Sequence, residues 1–213
     1  MTFKKIFDLF PPPEFLAMSY AGLAISDNHI RCIQFSKNGS DLIVSKYTEK
    51  ILPEGIVVSG VINNIPEMVT ILKGIKKDLK LDYVKVSLPE EKGYLFTTKI
   101  PKIENKDIRS TIEFKMEENV PIPSNDLFFD YTIANPNDHQ DHLNATVSAM
   151  PTVVVNRYIE TLDTAELRVL SLEIESQAIA RAVIPKEDSS THLIVHFGKE
   201  KVGLYVAFHR VVH

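Results

Sequence analysis

Residues Tyr20–Phe35 read YAGLAISDNHIRCIQF, and residues Leu193–Phe208 read LIVHFGKEKVGLYVAF. Each is an apolar strand, a tight turn and a second apolar strand, with Ser26-Asp27-Asn28 forming the first turn. The first unit runs on through a turn at Lys37-Asn38-Gly39-Ser40 into a third strand ending near Glu49, so it is a β-meander. Two such hairpins, one early and one late, are what a duplicated fold shows at the start of each half.

Between them the hydrophobic period changes repeatedly. Leu52-Pro53-Glu54-Gly55 breaks the sheet, and Ile65, Met68, Leu72, Ile75 and Leu79 then recur at helical spacing. Asn63 or Asn64 caps that helix, and Pro66 sits in its first turn. Strand patterns return at Tyr83–Leu88 and Tyr94–Ile100, followed by a helix whose Ile108, Ile112 and Met116 share one face. Strands at Leu127–Ala134 and Asn144–Met150 flank a polar loop. A helix from Pro151 buries Val155, Tyr158, Ile159 and Leu162, and a strand at Leu167–Leu172 leads to a helix stopped by Pro185.

Composition excludes several classes of function. The 213 residues carry a formal charge of -4, and no segment interleaves basic residues with aromatics, which argues against nucleic-acid binding. The single cysteine, Cys32, cannot form an internal disulfide and lies in an alternating apolar run, as a buried strand residue of a reducing compartment does. No apolar stretch reaches the roughly 20 residues of a membrane span. Met1–Phe10 lacks the continuous apolar region of a signal peptide. It reads either as a short amphipathic helix touching a membrane or partner, or as one packed on its own domain.

Leu52-Pro53-Glu54-Gly55 and Gly60-Val61-Ile62-Asn63 open an ordered series of motifs, followed by Leu88-Pro89, Ile100-Pro101 and Ile112-Glu113-Phe114-Lys115-Met116-Glu117. Val120-Pro121-Ile122, Asp130-Tyr131 and the run Leu172–Ala182 complete it. The series resembles the PilM family, the actin-like proteins of the type IV pilus inner-membrane platform. The resemblance implies a mixed α+β and α/β chain: the first half of an actin-like, ribonuclease H-like fold with a small inserted α+β subdomain. On that expectation residues 1–19 are an amphipathic, proline-rich lead, and 20–55 with 151–190 form the actin-like core. Residues 56–150 form the insertion, its sheet comprising the strands near Tyr83, Tyr94, Leu127 and Asn144. Residues 191–213 begin the second half, of which the family has more than this sequence and which would hold the adenosine.

Actin-like ATPases cradle phosphates on two hairpins and order Mg²⁺ through an acidic residue in each, because that small hard cation takes oxygen ligands. By resemblance those hairpins contain Gly22, Ala24, Ser26 and Asp27 in the first and His196 and Gly198 in the second. Ala24 and His196 stand where the acids belong, and a neutral imidazole is a poor magnesium ligand. Gly22, Ser26 and Gly198 then serve turn geometry, and Asp27, one residue out of register, is expected to point to the opposite side of the pleat. No cofactor and no enzymatic activity are therefore expected.

The resemblance implies a cytoplasmic scaffold peripheral to the inner membrane, docking the amino-terminal peptide of a PilN-type membrane protein in a groove between insertion and core. Contacts with further proteins of the pilus platform fit the same role. Two other readings share the core: an ATP-binding, hydrolysing actin-like enzyme, and an FtsA-type division protein. Asp138-His139-Gln140-Asp141-His142 has metal-binding residue types but reads as a solvated loop, and Ser189-Ser190-Thr191-His192 reads as a linker and strand start.

Overall fold

The computed structural model describes residues 19–39, 41–134, 141–198 and 201–213. The amphipathic lead and most of the Asp138–His142 cluster lie outside the described residues. Three strands form the expected meander: β1 (Tyr20–Ile25), β2 (His29–Asn38) and β3 (Asp41–Ile51), paired antiparallel in order. On β1, Ala21, Leu23 and Ile25 are buried, whereas Tyr20 and Ala24 on the opposite face are exposed.

Two further strands, β6 (Tyr83–Leu88) and β10 (Arg168–Ile174), run parallel to β1 and complete a five-stranded sheet ordered β10-β6-β1-β2-β3. Parallel neighbours need crossovers, here carried by α1 (Ile65–Leu79) before β6 and α3 (Thr152–Thr164) before β10. The helices pack on one another. Met68, Leu72 and Ile75 of α1 and Tyr158 and Leu162 of α3 form one core with Leu23, Val84 and Val86 of the sheet. Asn64 begins α1: its Oδ1 accepts the Glu67 N–H at 3.2 Å, and its Nδ2 donates to the Glu67 carboxylate at 2.9 Å. A two-residue ribbon, β4 (Val57–Val58) and β5 (Val61–Ile62), precedes the helix.

The insertion is a separate sheet of β7 (Tyr94–Pro101), β8 (Leu127–Ala134) and β9 (His142–Pro151), ordered β7-β9-β8. Helix α2 (Asn105–Asn119) lays Ile108, Ile112 and Met116 on it, against Ile100, Ala145 and Val147. The expected boundary at residue 56, and the Tyr83 strand in the inserted sheet, are corrected here. Residues 56–88 belong to the core: Ile56, Ile62, Val84, Val86 and Leu88 are buried in it, and β6 is hydrogen-bonded on both sides by β1 and β10. The resemblance put the Tyr83 and Tyr94 strands in one inserted sheet, but the turn Pro89–Gly93 sends the chain into a different sheet.

After α4 (Glu175–Val183), β11 (Thr191–Phe197), β12 (Val202–Phe208) and β13 (Val211–Val212) form a third small sheet. Tyr205, Ala207 and Val212 pack with Ala180 and Ile184 at the end of α4. Gln177 on α4 brackets Val212, donating to its carbonyl at 3.4 Å and accepting its N–H at 3.3 Å. No helix among the described residues is long and apolar enough to cross a membrane.

Candidate functional site

The two hairpins meet across a pocket of about 220 Å³, where Ala24, Ser26 and Asp27 face His196 and Gly198. Gly22 is not among its lining residues. It lies inside β1 opposite Ile33, without a left-handed φ, so the reading of Gly22 as a turn glycine is corrected. Ser26 does close the turn: its N–H donates to the His29 carbonyl at 2.9 Å and its Oγ accepts the His29 N–H at 3.2 Å. Gly198 also works locally, donating its N–H to the Lys201 carbonyl at 2.8 Å.

Asp27 lies in the turn beyond the end of β1, so the pleat alternation that would turn it away does not apply, and it lines the pocket. Both carboxylate oxygens are engaged. Ser59 N–H donates to Oδ2 at 2.7 Å and Gly60 N–H to Oδ1 at 2.8 Å. Both donors sit in left-handed backbone, at φ 48° and 75°, in the turn between β4 and β5. Position 60 must be glycine, because a Cβ there would run into Pro89. The Gly60 carbonyl accepts the buried Tyr158 hydroxyl at 2.9 Å. Burial, reinforced by Glu91, Asp27 and Glu175, pushes the Tyr158 phenol well above its ordinary pKa.

The feature of this pocket that no local pattern signals is Lys201. Its ammonium reaches Glu91 at 2.8 Å and Glu175 at 3.4 Å, residues 110 and 26 positions away. Burial works against the charge, but the two carboxylates outweigh it and hold the Lys201 pKa above its usual value. Arg31, also on the lining, is paired with Glu49 at 2.8 Å. Among the described residues no group of three or more His, Cys, Asp or Glu side chains could hold a metal ion. Of the loop cluster, the described part is an Asp141–His142 pair at 2.8 Å. His192 pairs with Asp188 at 3.1 Å, and β11 starts at Thr191 as the sequence suggests.

A larger cleft, about 500 Å³, opens between the insertion and the core. Phe128 to Thr132 of β8 line it without a break, and so do Ser171 to Ile174 of β10. Successive side chains on a strand point to opposite faces, so an unbroken lining run means that the strand presents its edge. Both strands are the outermost of their sheets, and among the described residues no strand pairs with them on the cleft side. Leu88, Met150, Val155 and Ile159 supply apolar surface. Arg181 closes one end in an ion pair with Glu173. Burial raises the Glu173 pKa, with Arg181 pulling the other way. The resemblance implied a groove between these two parts but identified none of these residues.

The type IV pilus assembly protein PilM family matches residues 22–206. Comparison with curated protein sequences gives no match. Among solved structures, a chain of the PilM-PilN type IV pilus biogenesis complex is similar, with TM-score 0.80 and 17% identity. That match covers 92% of this chain and 60% of the other, so the chain spans less than two thirds of its relative's length. The cytoplasmic domain of EpsL, an inner-membrane component of the Vibrio cholerae type II secretion system, matches with TM-score 0.61 and 12% identity, over 92% of this chain and 70% of that one. The ethanolamine utilization protein EutJ from Carboxydothermus hydrogenoformans gives TM-score 0.51 and 12% identity, over 96% and 51%. At such identities the likeness is one of fold, and the fold is actin-like.

Proposed function

The chain belongs to the type IV pilus assembly protein PilM family, and from that premise we propose that it is a docking scaffold for the cytoplasmic amino-terminal segment of a PilN-type membrane protein. The observation that carries this reading is the cleft flanked by the free edges of β8 and β10. An extended peptide satisfies such an edge through main-chain hydrogen bonds and places alternate side chains in apolar pockets. Leu88, Met150, Val155 and Ile159 offer that apolar surface, and the Glu173–Arg181 pair offers a polar end point. This role places the chain at the cytoplasmic face of the inner membrane, held there by its partner.

The same reading makes the hairpin pocket structural rather than enzymatic. A magnesium-bound polyphosphate needs acidic residues for the hydrated cation and free donors for its oxygens. Ala24 offers no oxygen, and His196 offers an imidazole. Asp27 is engaged with two backbone N–H groups, and Lys201 is engaged with Glu91 and Glu175. The donor set does not fit the group, and no step is assigned through it.

The test is calorimetric titration of the amino-terminal peptide of a PilN-type protein into the wild-type chain and an Ile159→Arg variant, beside a titration with Mg-ATP. The proposal expects peptide binding that Ile159→Arg abolishes, and no magnesium-dependent nucleotide binding. Absence of peptide binding, or tight Mg-ATP binding by the wild-type chain, would overturn it.

A further inference from the structure

Residues of β8 alternate between the two sides of the inserted sheet. Phe129, Tyr131 and Ile133 pack toward α2, so Phe128, Asp130 and Thr132 take the cleft side, opposite Met150, Ser148 and Thr146 of β9. Among the described residues that line the cleft, Asp130 is the one charge from the insertion. The core contributes Glu173 and Arg181, and those two are paired with each other. The lining therefore carries an excess of negative charge, and it resides on Asp130. Asp130 is exposed, and among the described residues its carboxylate has no cationic partner.

That carboxylate is engaged with its own strand instead. Tyr131 N–H donates to Asp130 Oδ1 at 2.9 Å. Among the described residues β8 has a neighbouring strand on the β9 side alone, so an N–H given to a side chain belongs to the open edge. This is the row of donors and acceptors that an added strand has to reach. Asp130 thus covers a donor that a docked main chain needs.

We propose that Asp130 selects, for this cleft, an extended segment that carries a cationic side chain, exchanging its hydrogen bond with Tyr131 for an ion pair with that side chain. The proposal rests on the docking reading above and adds which peptide is accepted. In the exchange one bond to the carboxylate is lost, while the ammonium or guanidinium replaces it and the released Tyr131 N–H bonds a peptide carbonyl. A neutral peptide makes only the second contact and leaves a carboxylate enclosed without a partner, which is costly. An acidic peptide sets like charges together. Discrimination therefore comes from a penalty on the wrong segment as much as from attraction to the right one.

The experiment is calorimetric titration of the full chain, in about 0.15 M salt to screen long-range attraction. Two forms of the amino-terminal peptide of a PilN-type protein are compared: the native sequence, and a neutral form with each Lys and Arg replaced by Gln and the terminus acetylated. The wild type should bind the native form about tenfold more tightly than the neutral one, as a close interfacial charge pair does. Asp130→Asn keeps an oxygen for Tyr131 N–H but removes the charge, and should bind the two forms within about twofold of each other. Asp130→Ala also uncovers Tyr131 N–H, and should bind the neutral form roughly two- to tenfold more tightly than Asp130→Asn does. Equal binding of both forms by the wild type, or a preference that survives in Asp130→Asn, overturns the proposal and leaves the docking reading standing. So does an Asp130→Ala chain that binds the neutral form no better than Asp130→Asn. Absence of binding by either form to every chain overturns the docking reading, and this proposal with it.

Discussion

Replacing Asp27 separates a structural tether from a cation ligand, because the two roles respond to different variables. In the structure its carboxylate accepts two backbone N–H groups, from Ser59 at 2.7 Å and Gly60 at 2.8 Å, and so fixes a left-handed turn. Hydrogen bonds to a charged acceptor are worth about 1.5–3 kcal/mol each. Ser59 is exposed and can recover water, so Asp27→Ala should cost about 2–4 kcal/mol in all, not the full sum. For a chain of this size, where 1 kcal/mol moves Tm by about 2–4 °C, a cost near 3 kcal/mol lowers the midpoint by roughly 6–12 °C. Asp27→Asn keeps one good acceptor and should fall about midway. The assay is differential scanning calorimetry with and without Mg²⁺, and magnesium should leave every midpoint where it is. A midpoint for Asp27→Ala within about 1 °C of wild type would refute the tether. Stabilisation of wild type by Mg²⁺ that the variant lacks would make Asp27 a cation ligand instead.

Three further predictions test other parts of the account. Tyr158→Phe removes the hydroxyl that donates to the Gly60 carbonyl at 2.9 Å in a fully buried position, and should cost about 1–3 kcal/mol in urea unfolding; a cost below about 0.5 kcal/mol would contradict that bond. Cys32 is 1% exposed, and burial pushes its thiol up to about 11, so a thiol-specific reagent near pH 8 should leave the native protein unmodified and label it only on unfolding. Burial lowers the His213 pKa below 6.5, where its ring meets Thr97 and Thr146 at 3.2 and 3.3 Å. A depressed folded-state pKa contributes stability that is present above the unfolded value and lost as pH falls through the folded one. An NMR titration should therefore place the His213 midpoint below that of an exposed histidine, and an equal or higher midpoint would contradict the contact.

The elements legible in the sequence were those whose signal is local. The three- and four-residue spacing of Met68, Leu72 and Ile75, with Asn63 or Asn64 as the cap, defined α1, where the structure selects Asn64, and the alternation through Leu23, Ile25, Ile30 and Cys32 defined the meander. What local pattern could not settle was pairing. Strand β6 reads the same whether its partner is β7 or β1, because Val84, Val86 and Leu88 alternate identically in either sheet. The correct partner follows from parallel crossovers closed far along the chain at β10, a non-local fact. The candidate sites divide in the same way. Ala24 and His196 were legible as departures from a motif, whereas Lys201 between Glu91 and Glu175 joins three distant segments. The cleft is made of two strand edges, and which strands end as edges is known only once both sheets are ordered.

The central claim is that an extended peptide docks along those two edges. Amide hydrogen exchange on the isotopically labelled chain, with and without the amino-terminal peptide of a PilN-type protein, tests it residue by residue. The account predicts new protection confined to Phe128–Thr132 and Ser171–Ile174, with the turns around Asp27 and Gly198 unchanged. Protection that spares both edges, or that appears instead at the hairpin pocket, would contradict it.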